Sequence, residues 1–397
     1  MNVRLNAKEI NLNSKIEITG SKSETNRLLL LKALYPNIVI ENASNSDDSE
    51  VMNSALTANH IIDVHHAGTA MRFLTAYFAS QENKTVTLTG SSRMKERPIK
   101  ILVDALIQLG AKIEYLENDG FPPIKISGQK LNSCRVSLPA NVSSQYISAL
   151  LLIAPSLQNG LELELIGEIT SIPYINMTLK LLNEINVETT FVNNKIVVKP
   201  LDQDPKSKTL IVESDWSSAS YFYSIIALSK AGTQIELSNF KENSLQGDAI
   251  LATIYEQMGV ETHFNDGKIT LVKTQNSIKQ NIVLDLNSAP DIAQTIAVTA
   301  FGLGIGCQLT GLHTLKIKET DRLEALQIEL SKLGAPISVT NDSLKIEPSK
   351  SINSNQNIAT YNDHRMAMAF APLALKKNIN IENAEVVSKS YPNFWND

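Results

Sequence analysis

The sequence is poor in cysteine, in arginine and in unbroken apolar runs, and each shortage removes a class of protein. Cys134 and Cys307 are the only two thiols in 397 residues, and neither sits in a CxxC or other ligand spacing. That excludes a disulfide scaffold and a cysteine-based metal site, and leaves two reduced thiols in a cytoplasmic chain as the expectation. The six histidines form no HExxH or similar pair; His65 and His66 are adjacent and would point to opposite faces of a strand. Tyr146 to Leu157 is too short to span a bilayer, and Ile292 to Leu312 is interrupted by Gln294, Gln308 and four glycines. Met1 to Gly20 alternates apolar and polar residues, with no apolar run of signal-peptide type. Excess positive charge is missing too: the formal net charge is −5, which argues against nucleic acid or a membrane surface as partner. An anionic small molecule remains compatible if cations gather locally.

What is present suits a globular enzyme. The composition is 43% hydrophobic and 19% charged, and the length fits two domains of about 200 residues each. One pattern recurs four times: an amphipathic helix ends at Gly or Asn, a short strand follows, then a polar turn and a second strand. The copies are centred on Gly110, Asn186, Gly259 and Gly334, with turns at Asn118-Asp119-Gly120, Asn193-Asn194, Asn265-Asp266-Gly267 and Asn341-Asp342. Gly or Asn after a helix accepts the left-handed cap conformation, and Asn-Asp-Gly between apolar runs marks a hairpin. A helix with a small sheet cannot bury its apolar face alone, so several such units must pack together, helices inward, as α+β layers.

Several polar segments open apolar helices. Gly20-Ser21-Lys22-Ser23-Glu24-Thr25-Asn26-Arg27 follows an expected strand Lys15 to Thr19 and precedes Leu28 to Leu34. Free N–H groups and a positive dipole end suit a phosphate there; a plain helix cap with solvated Lys and Arg is the alternative. His66 to Arg72 has small residues that would let a ligand approach the backbone, or two helices pack closely. Gly90 to Pro98 carries Arg93, Lys95 and Arg97, either as a solvated loop or as an anion contact. Ser143-Ser144-Gln145, Ser171-Ile172-Pro173-Tyr174 and Asp291 each stand at a helix start, where capping alone explains them. Lys318-Glu319-Thr320-Asp321-Arg322 reads as a salt-bridged helix surface, with Lys318 and Arg322 as i,i+4 neighbours. Asn362-Asp363-His364-Arg365 opens a nearly all-apolar helix, an odd place for His-Arg. Only eight of the 36 basic residues are arginine, and six of them, Arg27, Arg72, Arg93, Arg97, Arg322 and Arg365, lie in these motifs. Arginine offers the rigid bidentate fork that lysine lacks.

Taken together these segments resemble the 5-enolpyruvylshikimate-3-phosphate synthases. The matching stretches are SKSETNR, AGTAMRFL, TGSSRMKERPI, SSQY, SIPY, PDIAQTIA, KETDR, TYNDHRMAMAF and KSYPNF, in the family's order from residue 21 to residue 394. KETDR with DHRMAM is specific to this family; SKS alone is weak. The related UDP-N-acetylglucosamine enolpyruvyl transferases fit less well, because they typically carry a reactive Cys in the loop equivalent to Ser91 to Arg97.

The resemblance implies an α+β, two-domain enolpyruvyl transferase fold, each domain built of three repeated β-α-β-α-β-β units with inward helices. Residues 21–213 would form the N-terminal globular domain, on the shikimate 3-phosphate side. Residues 1–20 with 214–397 would form the C-terminal one, on the phosphoenolpyruvate side. Chain crossings would lie near Gly20 and Glu213 to Asp215, with substrates between domains that close on binding. The implied reaction moves the enolpyruvyl group of phosphoenolpyruvate to the 5-hydroxyl of shikimate 3-phosphate by addition and elimination, releasing phosphate, on the route to chorismate and the aromatic amino acids. Lys22, Gly68, Arg97, Arg322, Arg365 and Lys389 would hold phosphoenolpyruvate. Ser23, Arg27, Ser143, Ser144, Gln145, Ser171, Tyr174, Asp291 and Lys318 would hold shikimate 3-phosphate. Asp291 would act as base to the hydroxyl, Glu319 as proton donor and acceptor at the methylene, and Lys22 would assist the departing phosphate. No metal or organic cofactor is implied, and a monomer is expected. His66 stands where the family usually has Asn, Thr314 stands where some members have Asn, and the chain stops soon after Phe394.

Overall fold

The computed structural model describes residues 1–6, 11–140, 143–167, 169, 172–201, 203, 205–275 and 278–397. The chain divides into two compact units, Met1–Gly20 with Glu213–Asp397, and Ser21–Val212. Glu213, at the expected edge of the other half, is buried here because it accepts from Trp216 Nε1 (2.8 Å), Lys241 N (2.9 Å) and Ser244 Oγ (2.7 Å).

One sheet topology occurs four times. In the unit Ser21–Val212, strand His60–Asp63 runs parallel to Thr85–Thr89, which is antiparallel to Ile124–Ser127, itself antiparallel to Lys112–Tyr115. Arg135–Pro139, Leu161–Ile166, Lys195–Val198 and Thr189–Val192 repeat that order. A parallel pair, Ile38–Glu41 with Lys208–Ile211, makes a third small sheet. In the other unit the same order appears in Asn13–Ile16, Gln234–Ser238, Lys268–Lys273 and Val260–Asn265, and again in Asn281–Asp285, Gly306–Thr310, Leu344–Ile346 and Ile337–Val339. Its third sheet is Gln356–Ile358, Ile379–Ile381 and Val3–Leu5. Among the described residues the α+β class and the three repeated units per half thus appear as six small sheets.

Helices with no polar face lie among these sheets. Gly68–Ala79 leaves only Thr69 less than fully buried, and Trp216–Leu228, Ala293–Leu303 and His364–Phe370 are close to buried all round. A helix apolar on every side must lie inside. The sheets instead alternate: Val86 and Leu88 of Thr85–Thr89 are buried and Thr85 faces out. Gly110, Asn186, Gly259 and Gly334, which follow the four repeated helices, all have positive φ, the conformation such a stop needs.

Strand Asn13–Ile16 pairs with Gln234–Ser238, although the whole of the other unit separates them in sequence. The strand expected at Lys15 to Thr19 ends at Ile16, because the chain then turns so that Gly20 bridges to Ser214 and Asp215 N donates to Thr19 O at 3.1 Å. Lys318 is not helical: the helix begins at Arg322, capped by the Asp321 carboxylate, and the backbone at Lys318 is extended. Among the described residues no helix is long and apolar enough to cross a membrane.

Candidate active site

In the unit Ser21–Val212 four helices meet at one arginine. Ser21 caps the helix Lys22–Leu34, accepting from Glu24 N. One turn in, Arg27 is only 3% exposed. Its Nε donates to Thr178 Oγ1 (2.8 Å), Nη1 to Ser23 O (2.8 Å), and Nη2 to Ser148 Oγ (3.0 Å) and Tyr174 O (3.3 Å). The guanidinium lies over the rings of Phe73 and Tyr174, with centroids at 5.4 and 5.9 Å. Burial lowers its pKa to about 10. Arg27, expected against substrate, therefore ties together the helices that present Ser23 and Tyr174. Ser143 caps the helix Ser144–Ile153, and Ser144 is buried in its first turn. Helix starts held together in this way add partial positive charge to that end of the unit. Ser171 lies outside the described residues.

Around the same helix starts the chain builds a second contact. Arg72 is buried and donates to Gly68 O (3.2 Å) and Pro98 O (2.9 Å); Tyr146 OH donates to the same Pro98 O (2.6 Å). Gln145 Nε2 donates to Thr69 Oγ1 at 3.1 Å, and Ser91 Oγ bonds His66 Nδ1 at 2.8 Å. These contacts hold the basic loop against the helix start at Gly68, where a Cβ would come within 2.6 Å of Arg97 Nη1. Glycine at 68 is what lets the guanidinium lie on the backbone. Lys22 pairs with the buried Asp48 at 3.1 Å.

The other unit holds a compact ion cluster. Arg322, the first residue of its helix, is 2% exposed and surrounded by three carboxylates: Nε donates to Asp363 Oδ2 (2.7 Å), Nη1 to Asp291 Oδ1 (2.8 Å) and Nη2 to Glu319 Oε2 (2.9 Å). Asp291 also meets Lys318 Nζ (3.3 Å) and Arg365 Nη2 (3.5 Å), and its backbone O accepts from Arg365 Nη1 (2.9 Å). Glu319 Oε1 meets Lys389 Nζ at 3.0 Å. Arg365 Nη2 donates to Ser217 Oγ at 3.2 Å, and Ser217 in turn donates to the buried Asp248.

The charges set one another. Burial would raise the Asp291 pKa, but Lys318, Arg365 and Arg322 overcome it and hold the carboxyl well below its usual range. Burial draws the Lys318 ammonium down, against the pull of Asp291. Burial also opposes the charge on Arg322, yet Asp363, Glu319 and Asp291 raise its pKa. Asp248, one hydroxyl away from Arg365, is pushed up to about 6 by burial despite that arginine. The cluster can present four cations to an anionic ligand, with the Asp291 and Glu319 carboxylates set among them.

Six of the expected residues, Asp291, Lys318, Glu319, Arg322, Arg365 and Lys389, meet in this cluster. Asp48, Asp248, Asp363 and Ser217 were not among the expected site residues. Only for Asp363, an acid at the start of a nearly all-apolar helix, did the sequence carry a signal.

The chain matches the family described as EPSP synthase (3-phosphoshikimate 1-carboxyvinyltransferase) over residues 50–397. It is 46% identical over 392 residues to a 3-phosphoshikimate 1-carboxyvinyltransferase of Bacteroides fragilis, covering 97% of this chain and 94% of that protein. A protein of the same name from Colwellia psychrerythraea is 36% identical, covering 97% and 96%. Among solved structures, EPSP synthase from Acinetobacter baumannii superposes with a TM-score of 0.78 at 21% identity, covering 99% of this chain and 96% of that one. The enolpyruvyl transferase NikO from Streptomyces tendae superposes with a TM-score of 0.73 at 14% identity, covering 99% and 95%; these two likenesses concern the fold.

Proposed function

The chain belongs to the EPSP synthase (3-phosphoshikimate 1-carboxyvinyltransferase) family, and from that membership we propose how its residues transfer the enolpyruvyl group of phosphoenolpyruvate to shikimate 3-phosphate, a step toward the aromatic amino acids. Arg322, Arg365, Lys389, Lys22 and Arg97, with the Gly68 backbone, hold phosphoenolpyruvate. Ser23, Arg27, Ser143, Ser144, Gln145, Ser171, Tyr174, Asp291 and Lys318 hold shikimate 3-phosphate, Arg27 also setting Ser23 and Tyr174 in place. The residues of Ser21–Val212 mainly serve shikimate 3-phosphate, and those of Glu213–Asp397 mainly serve phosphoenolpyruvate.

In the addition step the 5-hydroxyl oxygen attacks C2 of phosphoenolpyruvate. Its proton passes to Asp291, and the methylene carbon takes a proton from Glu319, giving a tetrahedral ketal. In the elimination step the methyl carbon returns a proton to Glu319 as the bond from C2 to the phosphate oxygen breaks, and the hydroxyl proton held by Asp291 leaves with the inorganic phosphate. Lys22 balances the charge that develops on the departing phosphate. The carboxylates are counter-ions that substrates replace. As Arg322 and Lys389 turn to phosphoenolpyruvate, Glu319 loses two cationic partners, which raises a carboxylate's affinity for a proton. Asp291 gains basicity in the same way.

The observation that carries this reading is the set of three carboxylates bonded to Arg322 at 2.7 to 2.9 Å. Such a group is costly to bury unless every charge is matched; its four cations match the phosphate and carboxylate that each substrate brings. The chain is read as acting in the cytoplasm, a reading supported by its two cysteines standing in no paired spacing. The test is release of inorganic phosphate with both substrates, with each alone, and with a nucleotide sugar in place of shikimate 3-phosphate. Release is expected only with the first pair. Release with the nucleotide sugar alone would assign a different acceptor.

A further inference from the structure

The helix Arg322–Lys332 carries Arg322 at its start and, two turns on along the same face, Glu329. Glu329 is completely buried and takes no part in the chemistry above. Its carboxylate accepts from Lys332 Nζ at 2.8 Å through both oxygens, from Tyr361 OH at 2.6 Å and from Ala359 N at 3.3 Å. A buried carboxylate is costly where an apolar side chain would fill the same space, so its partners indicate what it is for.

Two of those partners lie in the segment that leads into Asp363-His364-Arg365. There Tyr361 and Asn362 adopt φ of +53° and +54° in succession. A left-handed Asn is ordinary in a turn; a bulky aromatic residue beside it in the same conformation is not. Such a backbone persists only where its surroundings hold it. Asp363 N closes the turn on Thr360 O at 2.8 Å, and from that point the chain delivers Asp363 to Arg322 and Arg365 to Asp291. Burial and Glu329 keep the Tyr361 phenol protonated, the donor state this contact requires.

We propose that Glu329 and Tyr361 are positioning residues for the reaction: their carboxylate–hydroxyl bond makes the helix that carries Arg322 also fix the turn that carries Asp363 and Arg365. Two arginines distant in sequence are thereby aligned from one rigid element. The proposal rests on the reading of Arg322 and Arg365 as phosphoenolpyruvate ligands.

Tyr361→Phe removes one oxygen and keeps the ring. We expect it to raise the KM for phosphoenolpyruvate about tenfold while kcat stays within about twofold, with the KM for shikimate 3-phosphate unchanged. Glu329→Gln is expected to move the same constant in the same direction, and Arg365→Lys, measured alongside, reports on the ligand assignment. If Tyr361→Phe leaves that KM unmoved while Arg365→Lys raises it, the positioning role is overturned. If Arg365→Lys also leaves it unmoved, the ligand assignment has failed and the proposal with it. A fall in kcat at constant KM, or an equal rise for both substrates, would also overturn it.

Discussion

Arg322 Nε lies 2.7 Å from Asp363 Oδ2, with the guanidinium 2% exposed and the carboxylate fully buried. The two residues are 41 positions apart, and neither charge has water to fall back on. Asp363→Asn keeps the shape and the cap on Arg365 N but removes the charge. We expect a loss of about 3 kcal/mol in urea denaturation, together with weaker use of phosphoenolpyruvate. A variant as stable as the parent would show that Asp291 and Glu319 suffice for Arg322.

Gly68→Ala tests the close approach of Arg97. The added methyl would stand 2.6 Å from Nη1, the mobile end of a long side chain. The side chain can retreat, so stability should change by less than about 0.5 kcal/mol. Function should respond instead, with the KM for phosphoenolpyruvate rising at least about tenfold. Unchanged kinetics would place Arg97 outside the binding set.

Lys22→Met and Glu319→Gln probe the proposed chemistry directly. Each should keep the circular dichroism of the folded parent and lower turnover by at least roughly 100-fold; each also leaves a buried partner unmatched, so the melting temperature should fall. Near-normal turnover in either variant removes that residue from its role.

Asp248 gives a pH signature. Burial raises its pKa from 3.8 to about 6 in the folded chain. The folded state then binds more protons than the unfolded one between these values, so this group lowers stability as pH rises from about 4 to about 6. Asp248→Asn keeps an acceptor for Ser217 and removes the titration. Its stability relative to the parent should grow by about 3 kcal/mol between pH 4 and pH 7, followed by chemical denaturation at several pH values. Asp291 has the opposite sign, since its lowered pKa stabilises the fold at neutral pH and less so as acid protonates it, but it is common to both proteins and cancels. A pH-independent difference would show that Asp248 is ionised throughout.

The repeats were legible because they are local. Asn193 and Asp266 supply positive φ in turns, and Gly334 closes a helix, so a few adjacent residues carried each signal. The cationic side of the site was legible too, because arginine is scarce here and its placement stood out. The anionic side was hidden. Asp363 looks like a helix cap, and it is one, accepting from Arg365 N at 2.9 Å; its second bond, to Arg322, exists only after folding. Arg27 shows the same limit: its partners Ser148, Tyr174 and Thr178 lie 121 to 151 residues away, so nothing near it in the chain announced these internal bonds. Spacing puts Lys318 and Arg322 on one helix face with Glu319 able to pair with either; the helix starts later, and Lys318 reaches Asp291 from extended chain.

Strand Asn13–Ile16 has its sheet neighbour at Gln234–Ser238, with Gln234 Nε2 donating to Asn13 Oδ1 across 221 positions. During synthesis the ribosome makes this strand early and its neighbour only after every residue of Ser21–Val212 has emerged. The interposed half can reach its final form while the leading segment still waits for a mate, so the last β-ladder to close around the amino end is a late event of biogenesis.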